Sequence, residues 1–447
     1  MNRRELLKLF SQALIVVPLF DMSMISSCGG GQTSSAPSAP GTSYTGTDDQ
    51  LLDDIERASF QFFWNQAGSG TGLVKDRANA TGSDSYTAAS IASTGFGLTA
   101  LCIGDQRGYG TSADIKARVL TTLRYVANQL TNVHGFYYHF VDWQSGARMF
   151  SSEVSSIDTA LLLCGVLTCR QYYASDADIV SLATQIYNRV EWPWMLNGGT
   201  TLSMGWKPET GFLAARWDTY SELMMIYLFG IGSPSNPLSP ATWKAWSRPT
   251  VQYQGYTYIS GAPTLFTHQY SHAWFDFRNK SDDYADYFQN SVLATQAHKA
   301  FCVSLQSQFS DYTDSLWGIT PSDSVNGYVV WGGPPKTGPI DGSVVPCAAG
   351  GSVAFLPQDC LKVLRNIRTN YASRGWGRYS FVDAFNPLTS WYNADVIGID
   401  LGIAMLMAEN YRSGLVWQTF MKNPEVQNAM TLAGFSNTSS SKTLPSK

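Results

Sequence analysis

Glutamate is scarce in this sequence, and one of its eight glutamates stands in an unusually apolar segment. Glu222 lies within residues 217–229, where the spacing of apolar residues predicts a helix. Burial inside such a helix would raise the pKa of the carboxyl group, a property that suits a general acid. The alternative is a structural carboxylate that accepts a hydrogen bond from a nearby Tyr or Trp. Glu222 is our first candidate for catalysis.

Four further acids lie near the ends of predicted helices or among aromatic residues. Glu153 precedes a predicted helix, and Asp158 stands three residues after Ser155 in a capping-box pattern. Asp158 therefore either serves a site or only stabilises the N-terminus of that helix. Asp383 lies in an aromatic-rich loop and is a candidate general base. Asp400 lies near the start of a late apolar helix. Glu409, near the end of that helix, cannot share a turn with it, so we expect at most one of the two to reach a site.

The composition favours an uncharged ligand for these acids. Charged residues make up 14% of the 447 residues and aromatic residues 13%, and the net charge is −4. An average soluble protein has about 25% charged residues. There is no basic stripe, so we expect no nucleic-acid partner. Low charge with many aromatic and short polar residues suits a surface that stacks on polyhydroxylated ligands.

Trp, Gly and Pro are concentrated in the long segments between predicted helices. We expect the aromatic side chains of these loops to stack on sugar rings, because a flat aromatic face matches an apolar sugar face. The loop aromatics concerned are Trp317, Tyr328, Trp331 and Trp376.

Two histidines have the i, i+4 spacing of a helical metal pair. His268 and His272 lack the intervening glutamate of the HExxH motif, and no Cys/His cluster accompanies them. We therefore interpret them, like His134 and His139, as hydrogen-bonding or sugar-contacting residues, and we expect no metal. The sequence has no GxSxG elbow, P-loop or GxGxxG before a helix, so we also expect no cofactor.

Helical periodicity recurs along most of the chain and must position these residues. It predicts about a dozen helices, over residues 48–66, 90–103, 112–130, 155–173, 178–190, 217–229, 241–246, 270–278, 283–309, 352–372, 394–412 and 414–421. Strand-like stretches are short, without a βαβ rhythm or a regular repeat. The segments 161–167 and 223–229 are apolar on nearly every face and must be buried all round. An all-α, (α/α)6 toroid with two rings of helices satisfies this pattern, and its loops would form a cleft.

The first residues predict export. Arg3 and Arg4 precede an apolar run that is too short to span a membrane, as in a twin-arginine signal peptide over residues 1–27. Cys28 follows as in a lipobox, which predicts a lipid-anchored protein facing the periplasm or the cell exterior. The alternative is a plain signal peptide with an incidental cysteine.

The rest of the chain divides into three parts. Residues 28–47 form a Gly/Ser/Pro-rich tether, residues 48–425 one domain, and residues 426–447 a polar tail. We expect a monomer. The six cysteines beyond Cys28 are interpreted as buried free thiols, with one or two disulfides as the alternative.

Six segments, taken in order, resemble one known family. They are SSIDTALL at 155–162, YSE at 220–222, LFTHQYSHAWFDFR at 265–278, YFQNS at 287–291, WGITPSD at 317–323 and DAFN at 383–386. Together they resemble the bacterial glycoamylase-like domain, which includes the endo-β-1,2-glucanases of glycoside hydrolase family 144. The resemblance spans about residues 50–425. It implies an (α/α)6 barrel that hydrolyses β-1,2-glucan with inversion and without a cofactor.

The resemblance also implies roles for single residues. Glu222 would be the acid, Glu153 and Asp158 would line the site, and Asp383 or Asp400 would be the partner. The base stays open, because a proton relay through water or substrate hydroxyls is an alternative. The segment 265–278 is expected to contact substrate through His268, Tyr270, His272, Trp274, Asp276 and Arg278, although Asp276 and Arg278 are close enough to form a simple ion pair.

One position departs from the family pattern. The late helix of the family usually reads Ile-Asp-Gln-Gly-Pro, whereas residues 399–403 here read Ile-Asp-Leu-Gly-Ile, which leaves the role of Asp400 open.

The sequence thus predicts a glycoside hydrolase that acts on a β-linked glucan. Two alternatives are a polysaccharide lyase on the same toroid and a non-catalytic glycan-binding lipoprotein. A lyase needs a cationic groove for uronic acids, which the net charge disfavours. A binding protein has no need of the catalytic carboxylates.

Overall fold

The computed structural model describes residues 44–438 as a helix-rich domain. Its helices are α1 Asp48–Asn65, α2 Ile91–Arg107, α3 Ser112–Asn128, α4 Ser156–Tyr172, α5 Ala177–Asn188, α6 Trp192–Leu196, α7 Met224–Gly232, α8 Tyr287–Ser304, α9 Pro346–Gly350, α10 Pro357–Asn370, α11 Ala372–Gly375, α12 Gly398–Arg412, α13 Leu415–Phe420 and α14 Pro424–Leu432. Three 3-10 turns cover Pro240–Lys244, Leu265–His268 and Ser271–Ala273.

Short strands connect the helices. They are β1 Arg77–Asn79, β2 Ala88–Ser90, β3 Asn132–Val133, β4 Phe136–Tyr137, β5 Phe140–Asp142, β6 Val154–Ser155, β7 Gly205–Lys207, β8 Gly211–Phe212, β9 Thr250–Tyr253, β10 Tyr256–Ile259, β11 Lys280–Ser281, β12 Ser322–Ser324, β13 Gly327–Val329, β14 Trp376–Gly377, β15 Ser380–Phe381, β16 Phe385–Asn386, β17 Trp391–Tyr392, β18 Asp395–Ile397 and β19 Ser436–Asn437. They pair antiparallel in twos, except for the three-stranded β6-β7-β8 sheet.

Helices α2, α4, α7 and α12 are buried on nearly every face, whereas α1, α3, α5 and α10 bury one face only. The prediction that residues 161–167 and 223–229 are buried all round is confirmed. Helices α2 and α4 pack so closely that a Cβ on Gly165 would lie only 2.1 Å from the carbonyl oxygen of Gly95. The amphipathic helices thus surround a set of wholly buried ones.

Short strands join the N-terminal ends of the buried helices. Gly398 N at the start of α12 donates to Asp76 O at 2.7 Å, and Ser90 N before α2 donates to Val74 O at 3.1 Å. One segment of chain, residues 74–76, therefore holds the beginnings of α2 and α12 together.

The beginning of α4 belongs to the same end of the domain. Ile91 N donates to His139 O at 3.2 Å, and His139 N donates to Glu153 O at 2.9 Å, just before α4. The N-termini of α2, α4 and α12 thus lie at one end of the bundle, because each is tied to the next by backbone hydrogen bonds. We call it the N-terminal end.

Besides shifts of a few residues at other helix ends, three sequence predictions differ from the structure in the extent or type of an element. Helix α14 and the pairing of β19 with β11 continue the packed domain past residue 425, where we had placed the start of a polar tail. Residues 270–278 form a 3-10 turn and loop instead of a helix, and α7 begins at Met224 instead of Trp217.

Other expectations are tested only in part. The predicted signal peptide, Cys28 and most of the tether lie outside the described residues. Among the helices of residues 44–438, none is long and apolar enough to cross a bilayer. The six cysteines of the described chain are buried free thiols, and Cys102 Sγ lies 3.6 Å from Cys169 Sγ.

Candidate active site

The N-terminal ends of two buried helices each carry an aspartate in the first turn. Asp158 is the third residue of α4, and Asp400 is the third residue of α12. A carboxylate at this position is favoured by the partial positive charge of the helix N-terminus. The cap hydrogen bond that the sequence predicted is present, since Asp158 N donates to Ser155 Oγ at 3.0 Å. Both aspartates are less than a tenth exposed.

Glu153 and Asp158 meet around a histidine. His139 Nδ1 lies 3.3 Å from Glu153 Oε1 and 3.7 Å from Asp158 Oδ2. Ser155 Oγ also donates to Asp158 Oδ2 at 2.5 Å. Both carboxylates are buried, and the sequence analysis had placed both in the site. The contacts of His139 with these two carboxylates were not predicted, because they depend on strand pairing and not on a local motif.

Glu222 lies in the turn directly before α7 and not inside a helix. The backbone from Trp217 to Tyr220 pairs elsewhere, with Trp217 N donating to Leu202 O and Tyr220 N to Ser247 O. The Tyr220 amide therefore cannot donate to Arg216 O, as it would in a helix that begins at Trp217. The Glu222 side chain is nevertheless 3% exposed, as we expected for a carboxyl in an apolar setting.

The turn that carries Glu222 is attached to its neighbours on two sides. Trp217 Nε1 donates to Ser156 Oγ in the first turn of α4 at 2.8 Å. Ser271 Oγ donates to Glu222 O at 2.8 Å and accepts from Met225 N at 3.2 Å. Glu222 is thereby fixed at the start of α7, on a segment bonded to the start of α4.

Asp383 belongs to a second group of carboxylates. Its Oδ2 accepts from Asp323 N at 2.8 Å and from Asn393 Nδ2 at 3.3 Å. Burial, and then the charges of Asp400 and Asp323, raise the pKa of Asp383 well above its usual range. Asp383 and Asp400 line a small cavity whose other lining residues are mostly apolar.

An arginine compensates part of this negative charge. Arg77 donates from Nη1 to Asp323 Oδ2 at 2.7 Å and from Nε to Asp76 Oδ2 at 3.1 Å. The nearby carboxylates, Asp383 included, raise the pKa of Arg77 above its usual range despite its burial. Arg77 and Asn393 were not predicted as site residues, whereas Asp323 lies within the 317–323 motif.

The two histidines of the metal-like pair are buried and neutral. Burial lowers the pKa of both His268 and His272 to about 3. His268 is within hydrogen-bond distance of Tyr220 OH and Ser260 Oγ, at 3.3 Å each. His272 Nε2 lies 3.1 Å from Ser291 Oγ. No group of three or more His, Cys, Asp or Glu residues in the described part of the chain is arranged to hold a metal ion.

Several residues expected to contact substrate are almost completely buried. Tyr270, Trp274 and Trp317 are at most 1% exposed, and Trp274 Nε1 donates to Thr99 Oγ1 at 2.9 Å. His268 and His272 are likewise 1–2% exposed. Their contact with substrate stays a prediction.

Asp276 and Arg278 form the ion pair that we had left as an alternative. Arg278 Nε donates to Asp276 Oδ1 at 2.9 Å, and its guanidinium packs 4.0 Å over the ring of Trp417. Trp417 lies in α13, after the C-terminal end of α12, whereas Asp400 lies at the N-terminal end. Since α12 is 15 residues long, about 22 Å separates its two ends. Asp276 and Arg278 therefore lie away from the carboxylates.

The loop aromatics differ in their exposure. Trp331 is 3% exposed, and its Nε1 donates to Ser322 Oγ at 2.8 Å beside Asp323. Tyr328 on β13 and Trp376 on β14 are partly exposed, and Trp376 packs edge-on against Phe381. Tyr328 and Trp376 thus keep surface that can contact a ligand, whereas Trp331 supports the loop of Asp323.

The chain is similar to known proteins over most of its length. Residues 214–424 match the Glycoamylase family model. A curated relative, the exo β-1,2-glucooligosaccharide sophorohydrolase (non-reducing end) of Parabacteroides distasonis, is 28% identical over 87% of the chain. The chain spans 58% of the length of that relative.

Two solved structures share the fold over 88% of this chain. The endo-β-1,2-glucanase of Chitinophaga pinensis, in complex with sophorotriose and glucose, is 25% identical with a TM-score of 0.83 and is covered over 99% of its length. The β-1,2-glucanase of Parabacteroides distasonis is 26% identical with a TM-score of 0.81 and is covered over 61%. These matches confirm the resemblance drawn from the motifs, and residues 214–424 are the part of the chain that matches the family model.

Proposed function

We propose that this protein is a glycoside hydrolase that cleaves β-1,2-linked glucan by an inverting acid/base mechanism. The observation that carries the proposal is the set of buried carboxyl groups at the N-terminal end, namely Glu153, Asp158, Glu222, Asp383 and Asp400. The similar proteins are described as acting on β-1,2-glucans, which supports this substrate class. The wholly buried helices and their amphipathic neighbours also support an (α/α)6 toroid as the detailed arrangement.

Two carboxyl roles are needed. In an inverting hydrolase an acid protonates the glycosidic oxygen, and a base activates water on the opposite face of the sugar. Glu222 is our choice for the acid, because its carboxyl group is buried and its turn is fixed from two sides. Glu153 and Asp158, held around His139, line the site.

Asp383 is our choice for the base, with Asp400 beside it. Burial, and then the charges of Asp400 and Asp323, raise the pKa of Asp383, so its ionised form is a stronger base than a free aspartate. Ionised Asp383 can accept a proton from water directly or through a relay. Asn393 and the backbone amide of Asp323 keep Asp383 oriented, and Arg77 holds Asp323.

The two alternatives have less support. A lyase acting on uronic acids needs free cationic groups, but the guanidinium of Arg77 is already engaged by Asp76 and Asp323. A non-catalytic glycan-binding protein has no use for a buried carboxyl group such as that of Asp383, whose pKa is raised.

The test is hydrolysis by the full chain of β-1,2-, β-1,3- and α-linked glucans, with chromatography of the products and NMR of the first anomer released. We expect β-1,2-glucan to be cleaved with inversion. Glu222→Gln should abolish cleavage while the melting temperature and glucan binding persist. The matched control is Glu191→Gln, which changes a half-exposed glutamate bonded to His134. An active, folded Glu222→Gln variant would sink the assignment of the acid.

Export and anchoring complete the proposal. The lipobox around Cys28 supports a lipid-anchored protein on the periplasmic or outer side of a membrane, and the self-contained domain supports a monomer. Metabolic labelling with a fatty acid should mark the wild type and not Cys28→Ala. Light scattering should give the mass of one chain for the Cys28→Ala protein.

A further inference from the structure

One exposed aromatic residue lies beside the candidate site in a backbone conformation that is rare for its type. Phe150 is 71% exposed and has a φ of +53°, and Ser151 follows with a φ of +46°. A bulky residue in the left-handed region is a costly outlier, and such outliers cluster at binding and active sites. A large ring left in water is unfavourable as well. Because both costs fall on Phe150, its position calls for a role outside the core.

The loop of Phe150 is held in place by tertiary contacts. Ser152 Oγ donates to Phe140 O at 3.1 Å and accepts from Phe140 N at 3.2 Å, while Ser152 N donates to Met149 O at 3.0 Å. Arg148 Nε donates to Ser152 O at 2.6 Å, and the same guanidinium pairs with Glu209. The surroundings thus impose the strained conformation and keep the exposed ring in a defined place.

A continuous path of contacts joins Phe150 to a site carboxylate. The Phe150 ring packs edge-on against Phe140, with 5.7 Å between centroids. Phe140 stacks on His139 at 3.8 Å, and His139 Nδ1 lies 3.3 Å from Glu153 Oε1. Phe150 is therefore at the rim of the N-terminal end, next to the group that lines the site.

We infer that Phe150 is a carbohydrate-binding residue whose ring stacks on the apolar C–H face of a glucosyl unit bound beyond the one at Glu153. The inference rests on the proposed glucan-hydrolysing function. Phenylalanine offers a flat apolar face and no hydrogen bond, so this contact adds affinity without reading the hydroxyl pattern. Only substrates long enough to reach Phe150 gain this affinity.

The experiment measures KM and kcat for β-1,2-glucooligosaccharides from the trisaccharide to the octasaccharide. It uses the full chain as wild type, Phe150→Ala and Phe150→Trp. We expect Phe150→Ala to raise KM about three- to tenfold for the longer substrates and to leave the shortest unchanged. Phe150→Trp should keep KM close to the wild-type value. Tyr411→Ala is the control, since Tyr411 is a 40% exposed aromatic in the last turn of α12, at the opposite end.

Each outcome separates the two claims. Equal KM values for wild type and Phe150→Ala at every length overturn the subsite and leave the proposed function standing. A uniform loss of kcat with a lower melting temperature assigns Phe150 a structural role and also overturns the subsite. A wild-type chain that cleaves no β-1,2-glucan overturns the proposed function, and the inference falls with it.

Discussion

Replacing Asp383 by Asn tests the electrostatics of the site most directly. The amide oxygen of Asn keeps the acceptor for Asp323 N and Asn393 Nδ2, and its NH₂ group can donate to Asp400. The change therefore removes one titrating proton and one charge while the local hydrogen bonds are retained. Hydrolysis should be lost, because an amide cannot accept a proton from water.

The same change should stabilise the fold in a pH-dependent way. The pKa of Asp383 is higher in the folded protein than in the unfolded chain, where it is about 4. Below that pH Asp383 is protonated in both the folded and the unfolded protein, and it does not lower the free energy of unfolding. Above it the unfolded chain ionises first, so wild-type stability falls by about 1.4 kcal/mol per pH unit until the folded pKa is passed. For a domain of about 400 residues this equals roughly 2 °C in Tm per pH unit.

Thermal unfolding between about pH 4 and pH 8 measures this effect. The Tm of Asp383→Asn minus that of wild type should be near zero at the acidic end and should grow with pH. The control Asp283→Asn removes an aspartate whose side chain is 80% exposed, and its difference should stay flat. A difference for Asp383→Asn that is constant with pH, or that becomes negative as pH rises, would refute the reasoning.

Two further predictions concern packing and positioning. Gly165→Ala places a Cβ 2.1 Å from Gly95 O between α4 and α2, so we expect a loss of about 2 kcal/mol or more in unfolding free energy, measured by chemical denaturation. His139→Gln should lower kcat about tenfold with little change in KM, because Glu153 loses its positioning partner. His134→Gln, which alters a 41% exposed histidine, should leave kcat unchanged, and an equal loss in both variants would contradict the positioning role.

Much of the helical framework was predictable from local patterns. Uniformly apolar runs identified α4 and α7 as buried all round, because such segments have no face to present to water. Ser155 and Asp158 marked the start of α4, since a helix N-terminus needs a side-chain acceptor for its free amides. The motif resemblance named the family. These features depend on residues close together in sequence.

The composition of the site was only partly predictable. Glu153, Asp158, Glu222 and Asp383 were selected as chemically suitable, but the partners His139, Arg77 and Asn393 were not assigned. His139 reaches Glu153 across 14 residues, and Arg77 reaches Asp323 across 246. Strand pairing and loop closure bring these groups together, and no local spacing encodes them.

Tertiary structure also decided which aromatic side chains are buried and which are exposed. Residue type alone makes Trp274 and Phe150 equally suitable as ligand contacts. In the structure Trp274 is fully buried, whereas Phe150 is 71% exposed. Glu222 lies outside a helix because the Tyr220 amide donates to Ser247 O, which is distant in sequence. The sequence by itself determined which segments must be buried and which acids were available. Only the folded chain decided which side chains meet, because burial and long-range hydrogen bonds are properties of the whole domain.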